Sequence, residues 1–519
     1  MSKRSLVTST IVLTVATLIS KILGSIFRIP LQNIAGDEVL GIFSLVYPVY
    51  MVALIISVAG LPLALSKLIS AADQRKNQTE IRDIYVTASI LALLFGMASF
   101  SLIYLFRSSI SYLLGGESIE LALVISSITL LIAPYMAVYR GYFQGLGDMI
   151  PTALSQVIEQ LIRAILIIVI AYTLIQFNFP TDQVAGYIMF GSIAGVLCSL
   201  IFLRYQFIKQ KVKPLSNQTY SFHTFRFWSK RVLSISIPIA IGSLTMALFN
   251  VVDSLTIPFA LKSNGILGDE VNFQYGIYGR GLALVQIATV FATSIILPLV
   301  PLITKRIALK DVAGTRLLIE KTHYLSHLIS WPAAFGLLGL TLPLNLGLFT
   351  NIEGSSMLAI IHFSSVFTSF VLVGTGILQG LNKVKTAAYI IIGGVAAKVF
   401  FNIILIQSFD LNGAALATLI VYALIMIINI AFIKRDIPFK FMTKESTIMA
   451  ISGLIMGAII GLPTLWINFM HASRLFALVY LFIAIIIGMT VYFVLLIIFK
   501  ALDKKILKDV PIIGNFFKR

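Results

Sequence analysis

Charge and cysteine are what this chain has least of. Only 12% of its 519 residues are Asp, Glu, Lys or Arg, about half the share of a soluble globular domain. A single cysteine, Cys198, excludes an intrachain disulfide, and its simplest role is packing. The chain contains no nucleophile elbow, no phosphate-binding Walker loop and no Cys/His cluster with metal-ligand spacing. Just two carboxylates, Glu159 and Asp253, fall inside expected membrane spans, and they belong to different spans, which is poor material for general acid–base chemistry. His323 and His327 are four residues apart but lack the carboxylate motif of a zinc site, so they are expected at the inner membrane interface. These absences exclude the usual enzyme classes. The chain reads as a carrier rather than a catalyst, with no resident cofactor and no metal.

Apolar sequence is what it has in abundance. Hydrophobic residues make up 58% of the chain and mean hydropathy is +0.98. Apolar runs long enough to cross a bilayer recur from about residue 9 to residue 500, giving about fourteen spans of an all-α polytopic membrane protein. The basic start, "MSKRSLVTSTIVLTVATLISKIL", lacks a small-residue cleavage pattern and is read as a retained first span. The net charge of +18 is a topology signal, not a nucleic-acid footprint. Threaded with the N-terminus inside, 31 of the 39 Lys and Arg fall on the cytoplasmic side and only Arg107, Lys262 and Arg474 on the other, where Asp37, Glu38, Asp269, Glu270 and Glu353 also fall. That asymmetry places both termini in the cytoplasm. The basic linker 209–230 and the tail 501–519 are expected to lie against anionic lipid headgroups. Outer loops are short, leaving no room for a soluble outer domain.

An internal repeat organises the spans. "GYFQGLGDMIPTA" (141–153) aligns without gaps on "GILQGLNKVKTAA" (376–388), and the same offset places Arg163 on Lys398. The chain is therefore expected to form an N-lobe of spans 1–6 (1–208), the linker 209–230, a C-lobe of spans 7–12 (231–436) and two further spans (446–500). Six spans per lobe keep both lobes in the same orientation, a parallel repeat of the kind that cups a site at mid-membrane. "GLIMGAIIG" (453–461) offers a small-residue face for a neighbouring helix, within the chain or in a second copy.

Seven ionisable Asp, Glu, Lys and Arg residues lie inside the expected spans: Lys21, Arg28, Glu159, Arg163, Asp253, Arg280 and Lys398. Each costs about 2.5–3.5 kcal/mol at a helix centre on insertion scales, and such groups usually face a bundle interior or a wet cavity. Lys21 and Arg28 would drift only about 20° around a helix and sit about 10.5 Å apart along it. They line one wall, with Lys21 near the midplane and Arg28 in the outer half; Arg280 opens the eighth span toward the outer side. Arg28 and Arg280 have the alternative of snorkelling to the interface, whereas Lys21 is too deep for that. Glu159 and Arg163, spaced i,i+4 with the acid first, suit an ion pair. Asp253 and Lys398 are read as an interhelical salt bridge, with Asn402 on the Lys398 face; a proton or sodium site is the alternative. Five cations against two acids leave a positive interior that attracts a multiply anionic guest, and Arg and Lys both suit phosphate oxygens.

"SKILGSIFRIPLQNIAGDEVLGIFSLVYPVY" and "GLPLALSKLIS" resemble the start of the polysaccharide-transporter branch of the multidrug/oligosaccharidyl-lipid/polysaccharide (MOP) flippase superfamily, near stage V sporulation protein B and the lipid II flippases of the MurJ type. "YRGYFQGLGDMIPTALSQVIEQLIR", "NVVDSLTIP" and "GRGLALVQIATVFATSIILPLVP" extend the likeness. The resemblance implies fourteen spans in two lobes and alternating access. It also implies export of an undecaprenyl-pyrophosphate-linked saccharide, lipid II or a related cell-envelope glycan precursor, from inner to outer leaflet. Family cavity cations fall on Lys21, Arg28 and Arg280, and cell-envelope synthesis proteins are implied partners. Some relatives bind sodium where Asp253 and Asn402 fall, but Lys398 competes for that place; the membrane potential is the expected driving force. The chain departs from the Gram-negative pattern in having Lys at position 21, a spacing of seven rather than six to Arg28, and no acid just beyond Arg280. The rival readings are a multidrug exporter of the same superfamily, disfavoured by the net positive interior, and a polysaccharide polymerase or ligase.

Overall fold

The computed structural model describes residues 3–58, 60–210, 212 and 219–502. Residues 211 and 213–218 of the linker and the tail from 503 onward lie outside the described residues, so any lipid contacts expected of them do too. Among the described residues the chain is α-helical throughout, with short 3-10 turns and no strand. It forms two compact units, 1–279 and 280–519.

The first unit holds α1 (Lys3–Ile26), α2 (Arg28–Val58), α3 (Leu61–Gln74), α4 (Gln78–Leu105), α5 (Arg107–Leu114), α6 (Glu120–Ile128), α7 (Ala133–Gly145), α8 (Ile150–Gln176), α9 (Thr181–Tyr187), α10 (Phe190–Lys209), α11 (Phe222–Ser263) and the start of α12 (Asp269–Ala308). The second holds the rest of α12, then α13 (Val312–Gly339), α14 (Thr341–Phe349), α15 (Ser355–Gly380), α16 (Val384–Asp436), α17 (Lys444–Gly461), α18 (Pro463–Trp466) and α19 (Arg474–Ile498). Polar side chains start several of these helices. Asn77, Ser221, Asp311, Thr443 and Ser473 each accept a hydrogen bond from a first-turn amide, satisfying donors the helix itself leaves open.

By length and apolar composition, nine helices among the described residues can cross a membrane, or eleven if each of two bent pairs counts as one span. The chain is a multi-pass membrane protein. Two of the long helices turn back on themselves. In α16, Lys383 Nζ lies 2.7 Å from Asp436 Oδ1, although a straight helix of that length would separate them by about 80 Å. The reversal is at Asp410, where φ is 47°. In α2 the guanidinium of Arg28 lies 5.5 Å from the ring of Tyr47, a separation of about 28 Å along a straight helix. That turn is at Gly36, with φ 79° and ψ 177°, a region that only glycine occupies without strain. A helix count is therefore not a count of crossings, and the expected fourteen is not fixed by it.

The sequence repeat reappears as a repeated corner. Between α7 and α8 the amides of Leu146, Gly147 and Asp148 donate to Tyr142, Gln144 and Phe143. Between α15 and α16 those of Leu381, Asn382 and Lys383 donate to Ile377, Gln379 and Leu378 at the same offset. Gly147 and Asn382 both have positive φ. The glycine face of α17 packs within the chain: Gly457 and Gly461 lie against Phe335 and Gly339 of α13.

In the first unit α2 and α12 cross backbone to backbone. A methyl at Gly41 would collide with the Asn272 carbonyl, and one at Gly276 with that of Asp37. Neither carbonyl can swing aside. Gly276→Ala is therefore expected to destabilise the chain by about 1–3 kcal/mol, read as a lower midpoint in thermal unfolding. An unchanged midpoint would show that the two helices separate freely.

Candidate functional site

The first unit gathers most of the embedded cations. Thr17, Lys21, Gly24 and Arg28 follow one another at helical spacing, four, three and four residues apart. This face of α1 meets α8, where Thr17 Oγ1 donates to Gln156 Oε1 at 3.1 Å and Gly24 abuts Gln160. Lys21 is half-buried. Arg28 follows a break at Phe27 and is only 6% exposed, so it does not snorkel. Its guanidinium rests on Phe43 and Tyr47, at 5.6 and 5.5 Å from the ring centroids. These rings stand on the α2 segment that returns after Gly36, so the reversal builds the cage. The Arg28 Nε is buried without a hydrogen-bond acceptor, and among the described residues Arg28 forms no ion pair. Asp37, expected in an outer loop, is buried and accepts from Gln32 Nε2 at 3.0 Å.

On α8, Glu159 forms the expected pair with Arg163, at 3.0 Å. It has a second partner that sequence reading missed, Arg140 of α7, at 2.8 Å. Arg140 also donates to Ser155 Oγ and Ser199 Oγ, at 2.9 and 3.1 Å. The group carries one net positive charge. No local spacing announces Arg140, because its partners are contributed by α8 and α10.

In the second unit Arg280 is fully enclosed, against the alternative of an interfacial side chain. Its Nη1 donates to Asn345 Oδ1 at 2.7 Å and Asn351 Oδ1 at 2.8 Å, and its guanidinium lies 5.4 Å from the Phe349 ring. Asn345 in turn donates to the Glu353 carbonyl and Ser355 Oγ. Arg280 thus ties down the end of α14 and the turn behind it. Lys398 donates to Thr418 Oγ1 at 2.7 Å and sits over the ring of Tyr422, with Asn402 buried one turn on. Asp253, in the first unit, accepts from Tyr278 at 2.8 Å.

His323 and His327 are buried in the protein and are packed among Phe370, Phe439 and Phe441. Trp331 Nε1 donates to His327 Nδ1 at 2.9 Å, which leaves Nε2 as the donor to the Phe441 carbonyl at 3.0 Å. The fixed tautomer of His327 and the aromatic packing of both rings mark a structural pair. Among the described residues no group of three or more His, Cys, Asp or Glu could hold a metal ion.

The family model described as polysaccharide biosynthesis protein matches residues 6–306. The uncharacterized membrane protein YabM of Bacillus subtilis (strain 168) is 31% identical, over 81% of this chain and 78% of its own length. Lipid II flippase MurJ of the same organism is 28% identical over 87% of each chain. Among solved structures, a lipid II flippase MurJ in an inward closed conformation shares the fold, with TM-score 0.66, 17% identity, and coverage of 94% of this chain and 98% of that one.

Proposed function

Because the chain belongs to the polysaccharide biosynthesis protein family, we propose that it is a flippase carrying an undecaprenyl-pyrophosphate-linked saccharide from the inner to the outer leaflet by alternating access. Arg28 supports this reading most directly. A charge removed from water costs several kcal/mol unless it is paired, and Arg28 is buried on aromatic faces with its Nε unpartnered. The missing partner is an anion. A pyrophosphate offers the oxygens that a guanidinium fork recognises, and Lys21 on the same face supplies a second point charge. Arg280 is already engaged by two amide oxygens, so the reading rests on Lys21 and Arg28.

The lipid tail stays in the bilayer while the headgroup crosses. At about 2.3 kcal/mol per charge per 100 mV, moving a dianion outward from a negative interior gains about 4–5 kcal/mol. The membrane potential can then drive transport without sodium or proton coupling, provided that the empty carrier returns without moving compensating charge. Transport in proteoliposomes clamped at zero potential is expected to fall sharply; an undiminished rate would exclude this drive.

The test of function is rescue. A Gram-positive host depleted of its own lipid II flippase is expected to grow when this chain is expressed. Failure of a well-expressed chain to rescue would exclude lipid II and direct the assay to another lipid-linked glycan.

A further inference from the structure

The start of α11, residues 222–231, differs in character from the rest of that helix. α11 runs for 42 residues, about 63 Å, whereas about 20 apolar residues suffice to cross a bilayer. Its apolar run begins at Val232, and the residues before it include Arg226, Lys230 and Arg231. The segment is held firmly in place. Ser221 Oγ accepts from the Thr224 amide at 3.2 Å, and the Tyr220 hydroxyl bonds to Thr87 of α4 at 2.7 Å. One face, carrying Trp228 and Val232, is buried in a core shared with α3, α4 and α7.

The opposite face is exposed and combines rings with cations. At i,i+4 spacing it presents Phe222, Arg226 and Lys230 in one row and His223, Phe227 and Arg231 in the next. Phe222 is 78% exposed and Phe227 45%. The Arg231 guanidinium lies 4.2 Å from the Phe227 ring and 5.2 Å from that of Trp228. Those contacts restrain an exposed guanidinium without using its hydrogen-bond donors. Among the described residues Arg226, Lys230 and Arg231 form no ion pair. No Asp or Glu occurs from residue 183 to residue 252, and Asp83 of α4, which acts on Tyr220, is held by Arg82 at 2.8 Å.

In water, large rings left exposed and cations left clustered are both unfavourable. At the surface of an anionic leaflet both costs fall, because rings enter the acyl-chain boundary and the cations meet phosphates. With the linker on the cytoplasmic side, as the charge asymmetry indicates, this end of α11 meets the inner leaflet. We propose that the exposed face of residues 222–231 binds an acidic phospholipid of that leaflet. Arg226, Lys230 and Arg231 hold its phosphate, and Phe222 and Phe227 lie at the top of its acyl chains. This narrows the lipid contact expected of the whole basic linker to one helical face, and it holds whatever the chain transports.

The experiment is native mass spectrometry of the purified full chain in detergent micelles, titrated with phosphatidylglycerol or with phosphatidylcholine. The wild type should retain phosphatidylglycerol in preference, and about 0.5 M salt should reduce that preference. Arg226→Gln with Lys230→Gln and Arg231→Gln should weaken the tightest phosphatidylglycerol binding about fivefold for each charge removed. Phosphatidylcholine binding and the thermal midpoint should not change, because all three side chains are exposed. Phe222→Ala with Phe227→Ala should weaken phosphatidylglycerol while leaving the salt dependence intact. Equal retention of the two lipids by the wild type, a preference indifferent to salt, or one that survives the triple substitution would overturn the site. A dimer that the triple substitution dissociates would also overturn it, and would give the face to a second copy of the chain.

Discussion

Arg28→Ala is expected to abolish transport while leaving the protein folded. Most buried charges cannot be removed so cleanly, because a partner is left behind. Arg28 forms no ion pair among the described residues, so its loss strands no carboxylate. What is lost internally is contact with Phe43 and Tyr47, about 0.5–2 kcal/mol of cation–π attraction, partly offset by relief of the charge's burial. What is lost to a pyrophosphate is a desolvated charge pair, for which truncating one side costs about 2–5 kcal/mol. That corresponds to about 30- to 5,000-fold in affinity. Arg28→Lys keeps the charge but not the planar fork and is expected to fall between the two. Headgroup translocation in proteoliposomes, with thermal midpoints measured in parallel, separates binding from folding. Full transport by a well-folded Arg28→Ala chain would end the assignment.

Glu159→Ala should act in the opposite way, through stability. Glu159 is the shared counter-ion of Arg140 and Arg163. Removing it leaves two cations in a low-dielectric interior with only neutral partners, Ser155 and Ser199 for Arg140 and Gln160 for Arg163. Breaking such a buried group from one side costs about 3–5 kcal/mol, a large part of the margin of an ordinary fold. A marked fall in thermal midpoint and loss of the monodisperse peak in detergent are expected. Removing all three charges together, Arg140→Met with Glu159→Leu and Arg163→Met, should recover most of that stability, because no charge is then stranded. A Glu159→Ala chain that melts with the wild type would show that the bridges contribute nothing to the fold.

Features that depend on near neighbours were legible in the sequence. Apolar runs marked the helices, and the breaks expected between spans near residues 34–38 and 408–411 fall at Gly36 and Asp410. The i,i+4 spacing of Glu159 and Arg163 predicted their pair, since both stand on one helix face. The 141–153 and 376–388 match foretold two corners with the same hydrogen bonds.

Other features were decided by which helices meet, and no local spacing carries that information. Arg140 reaches Glu159 only because α7 lies against α8. The Arg28 cage exists because α2 reverses and brings Phe43 and Tyr47 back over it. Arg280 is clasped by amides 65 and 71 residues away, and His327 bonds to a carbonyl 114 residues away. By itself the sequence determined that cations enter the membrane, because residue type sets charge and periodicity sets helix. Tertiary structure alone decided which of them is paired, caged or clasped, because burial and counter-ions depend on the packing of distant segments.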